Sequence, residues 1–127
     1  MGMPKLDSQK NPGYPEPFEP YFDKMIDKWM DDRGITANGT VMGQAIKTLE
    51  ETTELLDAIN HNDDAAIIDA VGDIYVTLRG VCKVKGIPFD KCVQAAYNEI
   101  KDRRGHLTSG GTFIKETEIE KRISSSN

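Results

Sequence analysis

Apolar residues at Phe22, Met25, Ile26, Trp29 and Met30 repeat with the three- and four-residue spacing of one helix face, predicting a first helix over about 20–33. Gly34 is its expected stop. Residues 38–40 offer cap candidates for a long second helix, on which Met42, Ala45, Leu49, Leu56 and Ile59 fall on one side. His61-Asn62-Asp63 reads as a turn. A third helix is expected over about 64–83, broken by Gly86-Ile87-Pro88, and a fourth carries Cys92, Val93, Ala96, Tyr97 and Ile100 before ending at Gly105. Ahead of the helices, five prolines (Pro4, Pro12, Pro15, Pro17, Pro20) fix φ and remove backbone donors, so 1–20 reads as an extended arm. Behind them, Ser109-Gly110-Gly111 and Thr112-Phe113-Ile114 suggest a loop and an extended piece within an irregular tail over 105–127. The expected fold is all-α: one domain over 1–127, an antiparallel bundle of about four helices. Their wide apolar faces are more than short helices cover within one chain, so oligomerisation should complete the bundle.

Length and composition narrow the function. The chain has 127 residues, and 16 basic against 21 acidic ones leave a formal charge of −5. That is the wrong sign for broad contact with a nucleic acid polymer, although small anions remain suitable ligands if the basic residues cluster. Cys82 and Cys92 fit neither a C-x-x-C nor a zinc pattern and read as reduced thiols. The start lacks an apolar h-region and no apolar run reaches membrane-spanning length, so a cytoplasmic protein without a membrane partner is expected.

The acidic residues change the picture most. Between Glu50 and Asp73 lie eight of them (Glu50, Glu51, Glu54, Asp57, Asp63, Asp64, Asp69, Asp73), with no Lys or Arg among them. An E-E-x-x-E pattern by itself is usually a solvated face, here set opposite the apolar side led by Ala45, Leu49 and Leu56. The third helix argues otherwise. From Ala65 to Cys82 its only charged residues are Asp69, Asp73 and Arg79, and a helix so apolar is normally buried, which turns both aspartates toward an interior. Gly72 beside them is expected to admit another helix or a ligand. Buried carboxylates are costly unless paired, protonated or bound to metal. Oxygen-only ligands without usable His or Cys suit a hard divalent ion, Mg²⁺ or Mn²⁺.

The charge then reverses. Arg79, Lys83, Lys85, Lys91, Lys101, Arg103 and Arg104 outnumber Asp90, Glu99 and Asp102, and a basic helix end after an acidic cradle reads as a polyphosphate site. The bland alternative is that Lys101, Arg103 and Arg104 complement the last helix's C-terminal dipole.

From about Gln44 to Arg104 the chain resembles the MazG-like all-α nucleoside triphosphate pyrophosphohydrolases. The resemblance rests on Lys47-Thr48-Leu49-Glu50-Glu51-Thr52-Thr53-Glu54-Leu55, then Asp69-Ala70-Val71-Gly72-Asp73-Ile74, then Asn98-Glu99-Ile100-Lys101 with Arg103 and Arg104. It implies Glu50, Glu51, Glu54 and Asp73 as metal ligands and catalytic residues, with Asn98, Lys101 and one of Arg103 and Arg104 gripping substrate. The family's second motif is usually E-x-x-D. Here Ala70 stands three before Asp73, and Asp69, four before, is the candidate replacement ligand.

The implied reaction is attack by metal-activated water on the α-phosphorus of a nucleoside triphosphate, releasing pyrophosphate, with one glutamate orienting or deprotonating that water. Purine substrates such as dGTP are the favoured expectation. Gln44 and Lys47 are candidates to reach base or phosphate, and Trp29 to stack on a base. The resemblance also implies a homodimer or homotetramer. The proline-rich leader and the Gly111-Thr112-Phe113-Ile114-Lys115-Glu116 ending look similar to phage versions that shape the nucleotide pool. Two alternatives stand beside this reading: a hydrolase of another phosphate ester, such as an alarmone or phosphoribosyl-ATP, and a non-catalytic helical dimer module.

Overall fold

A computed structural model describes residues 21–116, so the proline-rich arm over 1–20 and the end of the tail, 117–127, lie outside the described residues. Two compact units divide the chain between Phe89 and Asp90.

In the first unit, α1 (Tyr21–Asp32) follows the predicted periodicity and buries Met30. Gly34, at φ 77°, turns the chain in a conformation that a Cβ would disfavour, and the single-turn α2 (Ile35–Asn38) follows. That short helix is absent from the sequence expectation, because four residues carry no period. Thr40 caps α3 (Val41–Asn60) by accepting the Gly43 N–H at 2.9 Å. Asp63 caps α4 (Asp64–Lys85) by accepting the Ala66 N–H at 3.1 Å. The short turn between them folds α3 and α4 into an antiparallel pair, and left-handed Gly86 ends α4 with its N–H on the Cys82 carbonyl at 2.8 Å.

The face of α3 that meets α4 is the small and polar one. Thr48 donates to the Thr77 hydroxyl at 2.8 Å, Ala58 is buried, and the Gln44 side chain occupies the space that a Cβ on Gly80 would need. Met42, Leu49, Leu56 and Ile59, the apolar stripe, are exposed, as are Ile46 on α3 and Ile68, Val71 and Leu78 on α4. This corrects the expected burial of α4. Asp73 is half-buried, but Asp69 is exposed, and an added Cβ at Gly72 would meet nothing within 4 Å. The close approach attributed to Gly72 belongs to Gly80.

A buried ionic lock joins α1 to α4. Arg79 donates to both oxygens of Asp27, from Nε at 3.1 Å and Nη2 at 2.9 Å, and its Nη1 lies 3.4 Å from Asp23. Tyr75 donates to Asp23 at 2.7 Å, and the guanidinium lies 5.1 Å from the Phe89 ring centre. Burial disfavours the Arg79 charge, but its bonds to Asp27 and the nearby charges of Asp23 and Asp27 outweigh that and raise its pKa. Lys83 pairs with Asp31 at 3.1 Å. Arg79 and Lys83, read from sequence as part of a polyphosphate-binding excess, are therefore committed to α1.

The second unit holds α5 (Phe89–Ile100) from Asp90 onward and an antiparallel pair, β1 (Gly105–Leu107) with β2 (Phe113–Lys115), in the register His106 opposite Ile114. The last helix ends at Ile100 rather than Gly105, and the tail from Gly105 to Glu116 is a hairpin where an irregular segment was expected. Three-residue strands leave too little alternation to be seen in sequence.

Candidate active site

Glu51 and Glu54 lie one turn apart on α3 and face Asp73 on α4. Each of the three offers a carboxylate oxygen within 4.8 Å of the others. They converge because the α3–α4 seam is lined by small and polar residues, which lets the two backbones carry acids toward one another. Glu51 Oε2 is buried and has no hydrogen-bond partner among the described residues. Contact with the Glu54 carboxyl, then burial, then the charges of Glu54 and Asp73 push the Glu51 pKa up, against a smaller opposing pull from Lys47. Burial, then neighbouring Asp69, then Glu54 push the Asp73 pKa up as well.

Such a cluster is unfavourable on its own, since like charges within a Debye length and partly out of water repel. The donor set is all oxygen and includes a buried acceptor that no donor among the described residues satisfies. Those features fit a hard divalent cation, which would supply the missing positive charge. Glu51, Glu54 and Asp73 are the residues that fit around it.

The other predicted ligands sit differently. Glu50 turns to Lys47, at 2.8 Å, and is not part of the convergent group. That bond, followed by the Glu50 charge, raises the Lys47 pKa. Asp69 is close enough to perturb Asp73 and lines, with Glu54, Asp57, His61 and Asp63, a cleft of about 330 Å³. Gln44 is taken up by the helix seam against Gly80.

Trp29 lines a pocket. Together with Phe22, Met25, Ile26 and Val76 it walls an apolar pocket of about 600 Å³ between α1 and α4, and Asp73 lines that same pocket. Lys28 and Asp32 stand on its lining too. Of these, sequence reasoning singled out only Trp29 and Asp73. Among the apolar residues of α1 only Met30 is fully buried, which leaves Phe22, Met25 and Trp29 exposed on the pocket side, a division that periodicity alone does not give.

In the second unit, Asn98, Arg103 and Arg104 share a cleft of about 440 Å³ with Glu99, Asp102, Lys115 and Glu116, while Lys101 does not line it. Arg103 is paired with Glu99 at 3.2 Å. Lys115 arrives there through the hairpin, whose pairing sets it opposite Gly105, and was not anticipated.

A helical scaffold presenting a carboxylate cluster suited to a hard cation, beside an apolar pocket, defines the class. The sequence pattern of the MazG nucleotide pyrophosphohydrolase domain matches residues 44–108, and the chain belongs to that family. It is also similar to an uncharacterized 18.2 kDa protein encoded in the rep-hol intergenic region of Haemophilus phage HP1 (strain HP1c1), with 34% identity over 55 residues. That alignment takes in 43% of this chain and 34% of the phage protein, so the chain spans about a third of that relative's length. No solved structure matches the chain significantly. Among the described residues no helix is long and apolar enough to cross a membrane.

Proposed function

We propose that the chain hydrolyses nucleoside triphosphates, purine deoxynucleotides such as dGTP foremost, to the monophosphate and pyrophosphate with Mg²⁺ or Mn²⁺. The observation that carries this reading is the convergence of Glu51, Glu54 and Asp73 around a buried, unsatisfied Glu51 oxygen, with Asp73 also lining the Trp29 pocket. When bound, the cation supplies Lewis acidity at the phosphate and a water of lowered pKa.

The protein's own groups do the rest. Glu51, Glu54 and Asp73 hold the cation, with Asp69 beside Asp73 and Glu50 beside Lys47 as outer carboxylates. One glutamate orients the attacking water or takes its proton. Trp29 and its apolar neighbours seat the base and exclude water from it. Asn98, Lys101, Arg103 and Arg104 form the chain's candidate phosphate-binding group. We read 1–127 as one functional domain of a cytoplasmic enzyme that controls the nucleotide pool.

A second copy of the chain is the proposed cover for the exposed stripe of Met42, Ile46, Leu49, Leu56 and Ile59, because fully burying such side chains stabilises by roughly 1.5–3 kcal/mol each. The test of the activity is a panel of ribo- and deoxynucleoside triphosphates with Mg²⁺ or Mn²⁺. Pyrophosphate should appear with at least one of them and EDTA should abolish it. Orthophosphate as the first product overturns the proposal.

A further inference from the structure

Two polar features stand on the otherwise apolar pocket between α1 and α4. One is Asp73, shared with the carboxylate cluster. The other is the pair Lys28 and Asp32, one turn apart on α1, with Nζ and Oδ2 2.6 Å from each other. The buried Arg79–Asp27 and Tyr75–Asp23 bonds tie α1 to α4, so the stretch of α1 backbone that carries this pair is fixed relative to α4.

We propose that Lys28 and Asp32 read the base, and that the base they select is guanine. The inference rests on the reading above that the pocket seats a nucleobase, and it adds the side chains that select guanine among the bases. A lysine ammonium offers only donors and a carboxylate offers two adjacent acceptors. Guanine presents the complementary order along its pairing edge: the O6 acceptor for Lys28, then the N1–H and N2–H donors for Asp32. Hypoxanthine keeps O6 and N1–H but loses the second donor. Uracil has one donor between two acceptors. Adenine and cytosine each turn an amine toward the lysine and an unprotonated ring nitrogen toward the carboxylate, the reverse of what the pair can satisfy. Within the pocket's lining the match is therefore closest for guanine. Trp29 supplies a ring face that stacks with any base, so the discrimination falls to the pair.

Lys28 and Asp32 are partly exposed, with side chains 69% and 49% accessible. Discrimination should accordingly be modest. Loss of one charge-assisted hydrogen bond in such a place changes affinity about tenfold.

The experiment compares kcat/KM for dGTP, dITP, dATP, dCTP and dUTP in the full-length wild type, Asp32→Asn and Trp29→Ala, with a thermal melt of each to establish folding. The wild type should favour dGTP over dITP about tenfold. Asp32→Asn should bring that ratio close to one through a higher KM for dGTP, leaving kcat at saturation little changed. Trp29→Ala should weaken all five substrates together. If Asp32→Asn keeps the wild-type ratio while Trp29→Ala weakens every substrate, the guanine-reading role is wrong and the base seat survives. If Trp29→Ala weakens none, the seat itself is wrong and the inference falls with it. A wild-type preference for adenine or cytosine also overturns it, and absence of turnover with all five overturns both this inference and the proposed function.

Discussion

Asp73→Asn deletes one charge from the carboxylate cluster while keeping the side chain's shape, and the structure gives the size of the effect. Asp73 has an oxygen within 4.8 Å of oxygens on both Glu51 and Glu54. At that separation each like-charge pair costs about 1 kcal/mol in water and more where solvent is excluded. Asp73 is half-buried, so neutralising it in the metal-free protein should stabilise by about 1–2 kcal/mol, or roughly 3–8 °C in melting temperature. A structural acid does the opposite, since losing it strands a cationic partner. Metal reverses the comparison. At a concentration near 100 times its dissociation constant, Mn²⁺ should stabilise the wild type by about 2.7 kcal/mol and the variant far less. The assay is a pair of thermal melts, in EDTA and in Mn²⁺, beside a turnover measurement that should show activity abolished. Glu54→Gln should behave in the same direction. An Asp73→Asn protein that remains active and responds to Mn²⁺ like the wild type refutes the assignment of Asp73 as a ligand.

Three further outcomes are expected. Arg79→Met should destabilise by about 3 kcal/mol in denaturant titrations, because it leaves the buried Asp23 and half-buried Asp27 without their cation, whereas Lys28→Ala should cost under about 0.5 kcal/mol. Glu51 and Asp73 have pKa values raised by folding, so their contribution is present below the usual carboxylate range and is lost as pH rises through the raised values. Metal-free protein should therefore gain stability from these groups as pH is lowered toward the usual carboxylate range in EDTA melts, and Asp73→Asn should flatten that dependence. Leu49→Glu puts a charge in the exposed α3 stripe, and light scattering at micromolar concentration should show two chains or more for the wild type and one for the variant.

The helices were legible because their signals are local. Phe22 to Met30 repeat at helical spacing, Thr40 and Asp63 stand where caps are needed, and Gly34 and Gly86 stop helices in left-handed conformations. Which face of α3 turns inward was not legible. Periodicity favoured the Met42-to-Ile59 stripe, but within the chain the seam forms along Gln44, Thr48, Glu51 and Ala58. The Thr48–Thr77 bond and the fit of Gln44 on Gly80 depend on residues about thirty positions apart. The same long-range packing explains the site. Glu51, Glu54 and Asp73 were recognisable as acids without cations, and the Lys47–Glu50 pair, three apart on one helix, is a local contact, but which acids converge across the seam follows only from helix rotation. The commitment of Arg79 to α1, out of the basic excess, was hidden for a related reason. The arginine's partners, Asp27, 52 residues away, and Asp23, farther still, belong to a helix judged by its apolar positions alone.

The central claim is that water attacks the α-phosphorus of a nucleoside triphosphate at the Glu51, Glu54 and Asp73 cluster. Its most direct test is to run the reaction in heavy-oxygen water with Mn²⁺ and determine by mass spectrometry which product carries the label. The account predicts labelled nucleoside monophosphate and unlabelled pyrophosphate, with no products from Asp73→Asn. Label in the pyrophosphate or in free orthophosphate would contradict it.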